Sequence, residues 1–354
     1  MNAGEAPGAS TEGMGAAGYY DAHSEYQRRV IEVGEEWTEA MMTALDLDAV
    51  GPALTVVDYG AGTGATSVHA LKGAIAAVRK RDAELPVLAI HNDIPTSDFS
   101  QLFRNVRGPG SYLELQGGPI YPAAASGSFF AQVLPSGTVH AGMCSNAAHW
   151  LRDQPRVRTP DGMYFADATG RARTELAEQA AGDWEAFLTA RAAELAPGGH
   201  LLVQGIGSTD RHVSASRLLK VMWDVAAGLS DDGLLDRETL DFYVFPAYCR
   251  SLDESRPVNG LDVVRSGVDE VSNPYCEIFE HDRDPTAYAS TYVEFVRAFA
   301  ESTMLRHLFE PGAVGIDPQN LSDTFFGRLR DATASNPERG RYEAWIVRVL
   351  FVRR

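Results

Sequence analysis

The chain has 354 residues, enough to bury a substantial core as one large domain or one domain with a cap. Its 31 basic and 48 acidic side chains leave a formal charge of −17, which argues against nucleic acid or an anionic membrane surface as a partner. A small acidic substrate stays open, because the charge around a pocket can differ from the total.

Residues 1–18 are mostly Gly, Ala, Ser and Glu, and the first basic residue is Arg28. A secretory leader needs a positive start and an apolar core, so the expectation here is a disordered tail. No apolar run approaches the ~20 residues that span a bilayer. From Tyr19 to about Leu45 the pattern predicts a helix on which Tyr20, Ser24 and Gln27, at i, i+4 and i+7, share one face. Three hydrogen-bonding side chains there mean either a solvated face or one turned toward a ligand.

Leu54 to Val57 is an apolar run suited to a buried parallel strand, ended by Asp58. Gly60, Gly62 and Gly64 follow, and Thr66 to Arg79 reads as a helix. Strand, glycine turn and helix make the first unit of a nucleotide-binding α/β sheet. The plain alternative is a glycine turn used only for tight packing. Asp58 sharpens the choice. A dinucleotide would bring a pyrophosphate to this turn, and like charges at about 4 Å repel by roughly 4 kcal/mol at an effective dielectric near 20. S-adenosylmethionine (AdoMet) has adenosine, ammonium and sulfonium but no phosphate, and would accept the acid.

A second strand is expected from Val87 to His91, ending in Asn92-Asp93. Asp93 lies 29 residues after Gly64, near where such folds place an acid on ribose hydroxyls; it could equally cap a helix. Residues 105–125 read as a Gly/Pro-rich loop around a short strand at Ser111–Gln116, followed by Gly127-Ser128-Phe129-Phe130. Thr138 to Cys144 is a strand that runs into Ser145-Asn146-Ala147-Ala148-His149-Trp150-Leu151. Ligands of open α/β sheets sit beyond the carboxyl ends of strands, so Asn146, His149 and Trp150 are placed to reach one. Simple packing of the indole is the competing explanation.

Residues 152–173 form an excursion, Thr174–Leu195 a helix closed by Pro197-Gly198-Gly199, and His200–Ile206 an apolar strand. The alternation to this point is that of a parallel sheet. Residues 211–310 read as mostly helical, clearest at Ser216–Leu229 and Pro285–Phe309, with an aromatic loop at Phe242–Tyr248. Tyr342–Val352 would close the sheet as its last strand. The expected division is a tail at 1–18, an AdoMet-binding Rossmann-like domain at 19–210 and 340–354, and a mainly helical cap at 211–339. Cys144, Cys249 and Cys276 show neither paired nor metal-type spacing, which predicts reduced thiols in a cytoplasm.

An ordered set of pieces now resembles one family along nearly the whole chain. They are Tyr20-x-x-x-Ser24-x-x-Gln27, the Asp58 glycine turn, Asn92-Asp93 with Asp98-Phe99, and Gly127-Ser128-Phe129-Phe130. His149-Trp150-Leu151, Phe187-Leu188 with Gly198-Gly199, Pro246-x-Tyr248 and Arg297-Ala298-Phe299 continue it. The set is similar to the plant-type salicylate, jasmonate and theobromine methyltransferases (the SABATH family), in a divergent form expected of a bacterial chain.

The resemblance implies a class I methyltransferase α/β fold and carboxyl O-methylation, or less often N-methylation, of small molecules. By position it assigns Tyr20, Ser24, Asp58, Gly60, Gly62, Asp93, Ile94, Ser128, Phe129 and Ser145 to AdoMet. Gln27 and Trp150 would hold the acceptor carboxylate, with Asn146, His149 and Leu219 lining the acceptor pocket. It also implies a homodimer. Ala61, Thr66 and Asn146 depart from the plant pattern, and Asn146 replaces a common aromatic residue. Some plant members carry a magnesium site; Asp241 stands at one of its positions, but Val244 replaces an Asn ligand, so no required metal is expected.

A carboxylate is already ionised near neutral pH and needs no general base. It needs one oxygen held about 3 Å from the methyl carbon, in line with the sulfur. The Gln27 amide and the Trp150 indole N–H suit its other face as neutral donors. The alternatives are N- or phenol O-methylation with His149 as base, and an AdoMet-binding protein without catalysis. A nicotinamide dehydrogenase is disfavoured by Asp58.

Overall fold

The computed structural model describes residues 23–354; Tyr20 and the 1–18 tail lie outside them. The helix expected to reach Leu45 is two helices, α1 (Glu25–Val33) and α2 (Glu35–Ala44), parted at Gly34. A Cβ on Gly34 would stand 2.3 Å from Gln204 Oε1 and 3.2 Å from Arg348 Nε. The chain thus turns where bare backbone must pass two buried polar side chains. Gly34→Ala should lower stability by about 1–3 kcal/mol, as overpacking does, measured by urea unfolding.

The alternating half of the chain comprises β1 (Leu54–Tyr59), α3 (Ala65–Arg79), β2 (Val87–Asp93) and α4 (Phe99–Val106). It continues through β3 (Ile120–Ser126), β4 (Val139–Ser145), α5 (Gly170–Glu194) and β5 (Leu195–Gly207). Next come α6 (Ser216–Asp231), α7 (Arg237–Asp241), β6 (Leu261–Glu270), α8 (Pro274–Asp282), α9 (Pro285–Met304), α10 (Pro318–Ser335) and β7 (Trp345–Arg353). The strands form one sheet in the order β3-β2-β1-β4-β5-β7-β6. The first five are parallel, and β7 runs antiparallel to both β5 and β6. Strand order reverses between β1 and β4, the place where such sheets open a ligand crevice.

Three expectations change. Ser111–Gln116 is not a strand; Tyr112–Glu114 is a short 3₁₀ turn, and the strand is β3, eight residues of chain later. Its sequence, IYPAAAS, is poor in strand formers and contains Pro122, which only an edge position tolerates. Asp58 does not end β1 but lies inside it, in register with His91 and Met143. The stretch expected to be helical supplies β6, an edge strand, and β7 therefore lies inside the sheet.

One face of the sheet carries α2, α3 and α4 over Leu54, Val56 and Met143; the other carries α5 over Val57, Tyr59 and Phe351. A third core joins α6, α9 and α10 to Tyr26, Val30 and Trp150 beyond the strand ends. Helices α8, α9 and α10 each start on an Asx-Pro pair: Asn273, Asp284 and Asp317 cap main-chain N–H groups and the proline takes the first helical position.

Candidate active site

At the β1–β4 crevice Gly60, Gly62 and Gly64 have φ of 86°, 56° and 101°, a region L side chains avoid. Gly60 also needs its lack of a side chain, since a Cβ would lie 2.3 Å from that of Ala147. Around Gly62 the space is open. Its N–H donates to Asp93 Oδ2 at 2.5 Å, while Asp93 Oδ1 accepts from Ile94 N at 2.7 Å and Ser97 Oγ at 2.5 Å. Asp93 is thereby held at the end of β2 with lone-pair capacity left on Oδ2.

Asp58 is 4% exposed and its Oδ1 has no partner. Burial, with a smaller push from Asp93 and against the Ser67 hydroxyl, raises its carboxyl to about 7. The full negative charge assumed from the sequence is therefore only half present at neutral pH without a ligand. A ligand group carrying an ammonium binds the ionised form, so if the amino-acid ammonium of S-adenosylhomocysteine pairs with Asp58, its affinity should rise about tenfold between pH 6 and 8. Calorimetry checks this, and Asp58→Asn should flatten the rise. The same raised value means that Asp58 stabilises the free protein at low pH and loses that contribution as pH climbs from about 4 through 7.

The loop after β3 brings Phe129 within 3.5 Å of where a Gly60 side chain would start. Ser128 is exposed, its Oγ facing Phe130 N at 3.4 Å. Asn92 ties the loop to β2 through Ala125 O and Gly127 O, at 2.8 and 2.9 Å. The loop's other support was missed in the sequence. Arg191 and Glu194 of α5 are fully buried and paired at 2.8 Å. Arg191 donates to Phe129 O and Ala131 O, and Glu194 accepts from Val133 N, Leu134 N and Tyr59 Oη. Ser24 begins α1 and is buried; Ser145 Oγ, at the end of β4, accepts from Gln204 Nε2 at 3.0 Å.

A second pocket opens beside the crevice and gathers Gln27, Asn146, His149, Trp150 and Leu219. Tyr26, Tyr164, Phe245, Phe295 and Phe299 join them; of these the sequence pointed to Phe245, in the aromatic loop, and Phe299, in the late motif, but not to Tyr26, Tyr164 or Phe295. Gln27 Oε1 is buried without a partner. Asn146 takes a left-handed φ of 55°, and its amide donates to Gln27 O at 3.2 Å, so it braces α1. Trp150 rests on Phe245, ring centroids 5.5 Å apart, and Leu151 N and His149 O pair with Pro246 O and Tyr248 N. Arg250, itself buried, donates to Ala148 O and Ala180 O, fixing the same loop. Burial and the Arg250 guanidinium pull His149 down to about 3, so it is neutral and a feeble base.

Asp241 receives Arg158 at 2.6 Å and Arg237 at 2.7 Å, one on each oxygen. That is the donor set of a salt bridge, and it does not fit a magnesium ligand. The crevice does fit AdoMet: bare main chain at Gly62, an unpartnered buried Asp58 oxygen for a cation, and Asp93 at the end of the next strand.

A family model described as SAM dependent carboxyl methyltransferase matches residues 8–353. The chain belongs to this carboxyl methyltransferase family. It is 26% identical over 258 residues to farnesoic acid carboxyl-O-methyltransferase of Arabidopsis thaliana, covering 68% of this chain and 72% of that one. It is 27% identical over 320 residues to paraxanthine methyltransferase 2 of the same plant, covering 82% and 87%. A solved structure of loganic acid methyltransferase with SAH superposes with a TM-score of 0.78 at 21% identity, covering 97% of this chain and 99% of that chain, and shows the same fold. The two sequence relatives are plant proteins, and the bacterial source expected from the sequence has no counterpart among them. This carboxyl methyltransferase uses AdoMet as its methyl source.

Proposed function

We propose that the chain converts the carboxylate of a small apolar acid, aromatic or fatty, to its methyl ester. The observation that carries this is the cavity where two neutral donors, Gln27 and Trp150, meet a mostly aromatic and apolar wall that also holds Asn146 and His149. AdoMet, when bound, supplies a methyl carbon on a sulfonium sulfur. The protein's part is orientation: Gln27 Nε2 and Trp150 Nε1 hold one face of an already ionised acid, and the aromatic wall excludes water. No residue in the wall is suited to remove a proton, because His149 is held neutral and weakly basic.

The relative named for paraxanthine keeps N-methylation as a second reading. A labelled-methyl assay on a panel of carboxylic acids, xanthines and phenols decides between them; turnover of a xanthine or phenol and of no acid would reverse the assignment. The cofactor roles assigned to Tyr20, Ser24, Asp58, Gly60, Gly62, Asp93, Ile94, Ser128, Phe129 and Ser145 belong to this proposal.

So does the division into an AdoMet domain at 19–210 and 340–354 and a cap at 211–339, with β6 returning from the cap to the sheet. A reduced cytoplasm accords with Cys144, Cys249 and Cys276, which are buried free thiols. Among the described residues no helix is long and apolar enough to cross a membrane. A homodimer remains part of the proposal, to be read by light scattering.

A further inference from the structure

Three arginines are buried among the described residues: Arg191, Arg250 and Arg348. A guanidinium taken out of water normally has a carboxylate against it. Arg191 has Glu194 at 2.8 Å, and Arg348 has Asp269 at 2.5 Å. Arg250 differs. It is 6% exposed and donates to two neutral oxygens, Ala148 O at 2.8 Å and Ala180 O at 2.7 Å. Its guanidinium lies 5.3 and 5.8 Å from the ring centres of Trp184 and Tyr248. Among the described residues no carboxylate oxygen stands within 4.0 Å of it.

The acids that act on Arg250 from further off, Asp183 and Glu254, are engaged elsewhere. Asp183 accepts from Arg152 N at 2.9 Å, and burial raises its carboxyl. Glu254 is exposed and accepts from Tyr248 Oη at 2.7 Å and Ser251 N at 2.8 Å. Burial lowers Arg250 only to about 10, so it stays charged at neutral pH. The charge is also well placed. Arg250 lines a hollow behind the Trp150 loop with His149 and Ile206, and these two side chains also line the acceptor cavity. They partition the guanidinium from the ligand. His149 registers the charge, since after burial it is Arg250 that depresses its protonation. A field that expels a proton from this wall draws an anion toward it.

We propose that Arg250 sets the charge selectivity of the acceptor site: from behind the His149–Trp150 loop, without touching the ligand, its guanidinium favours an ionised carboxylate over a neutral group of the same shape. This rests on the carboxyl-methylation reading and adds to it the residue that reads the charge. In buried surroundings the attraction is little screened and reaches through a layer of side chains. Gln27 and Trp150 do the holding, so no cation blunts the reacting oxygen. The carboxylate loses its charge as the methyl arrives, so Arg250 stabilises the bound acid more than the transition state. Its loss should therefore act on KM, whereas loss of the two donors also lowers kcat.

The test compares octanoate, cinnamate and the acid ranked first in the methyl-transfer panel, each with its primary amide, on protein loaded with S-adenosylhomocysteine. Wild type should bind each acid about tenfold or more tightly than its amide. Arg250→Gln, which keeps a donor but no charge, should lower that ratio about tenfold, with KM raised and kcat within about twofold of wild type. Arg250→Lys should keep the ratio within about threefold, because the charge remains and a loosened loop weakens acid and amide alike. Equal losses for acid and amide in both variants, or a fall in kcat with KM unchanged, would reduce Arg250 to a brace for the loop and overturn the proposal. Should Arg250→Gln fail to fold, Asp183→Asn gives the reading. Removing the acid that most opposes the guanidinium should raise the acid-to-amide ratio about threefold, and an unchanged or lower ratio would overturn the proposal. In each of these cases methylation of the acids leaves the carboxyl reading standing. Failure of every acid to bind or react with wild type would overturn both.

Discussion

Replacing Gln27 with Ala and Trp150 with Phe together lowers kcat/KM for the best carboxylic acid by about 10²–10³, the range seen when preorganised donors are removed from a reacting centre. Both donors come from supported main chain: Gln27 from α1, braced by Asn146 and Arg348, and Trp150 from a loop held by Arg250 and the Phe245 ring. Loss of either donor alone should cost less than half of the total in free energy, since the remaining one still orients the acid. KM should rise and kcat should fall, because on the proposed mechanism the donors both hold the carboxylate and aim it. Affinity for S-adenosylhomocysteine, measured by calorimetry, should stay within about twofold. Double-variant protein that methylates its acids as well as wild type would refute the orientation mechanism.

Arg191→Met has the largest expected effect on stability, a loss of about 3–5 kcal/mol, because Glu194 would be left as an uncompensated buried charge. The guanidinium lies over the Tyr59 ring at 4.0 Å and holds the main chain at Phe129 and Ala131, so the loop bearing Ser128 and Phe129 loses its anchor as well. Cofactor affinity should therefore drop with stability. Adding Glu194→Gln should restore part of the melting temperature, since two neutral side chains avoid the charge penalty. It should restore little of the affinity, because the donors to Phe129 O and Ala131 O stay absent. Thermal melting with and without S-adenosylhomocysteine separates the two effects.

Much of the crevice was legible because its signals are local. The run LTVVDYGAGTG spells a buried strand and a turn that only glycine can make, and the step from Val139 through Trp150 places polar groups at a strand end. Gln27, Asn146, His149, Trp150 and Leu219, drawn from three separated segments, do meet in one cavity. What escaped was set by tertiary context. Strand β3 holds a proline and four small residues, and its pairing with β2 overrides that weak propensity. Strand β6 has the mixed polar sequence of an outer edge and lies in a stretch that reads as mostly helical. Arg191 and Glu194, spaced i, i+3 on a helix, are indistinguishable in sequence from an exposed pair. Asp58 was legible as an acid at the turn, but its neutralised state depends on burial that sequence does not report.

The place of β7 has a consequence for folding. Strand β7 sits between β5 and β6, and from it Arg348 reaches back to Val30, 318 residues earlier in sequence. Until residues 345–353 are in place, β5 presents a raw edge, β6 has nothing to pair with, and α1 lacks its brace from Arg348. The glycine-turn half can thus form early from local contacts, while the helical half with the aromatic pocket waits on a long-range pairing.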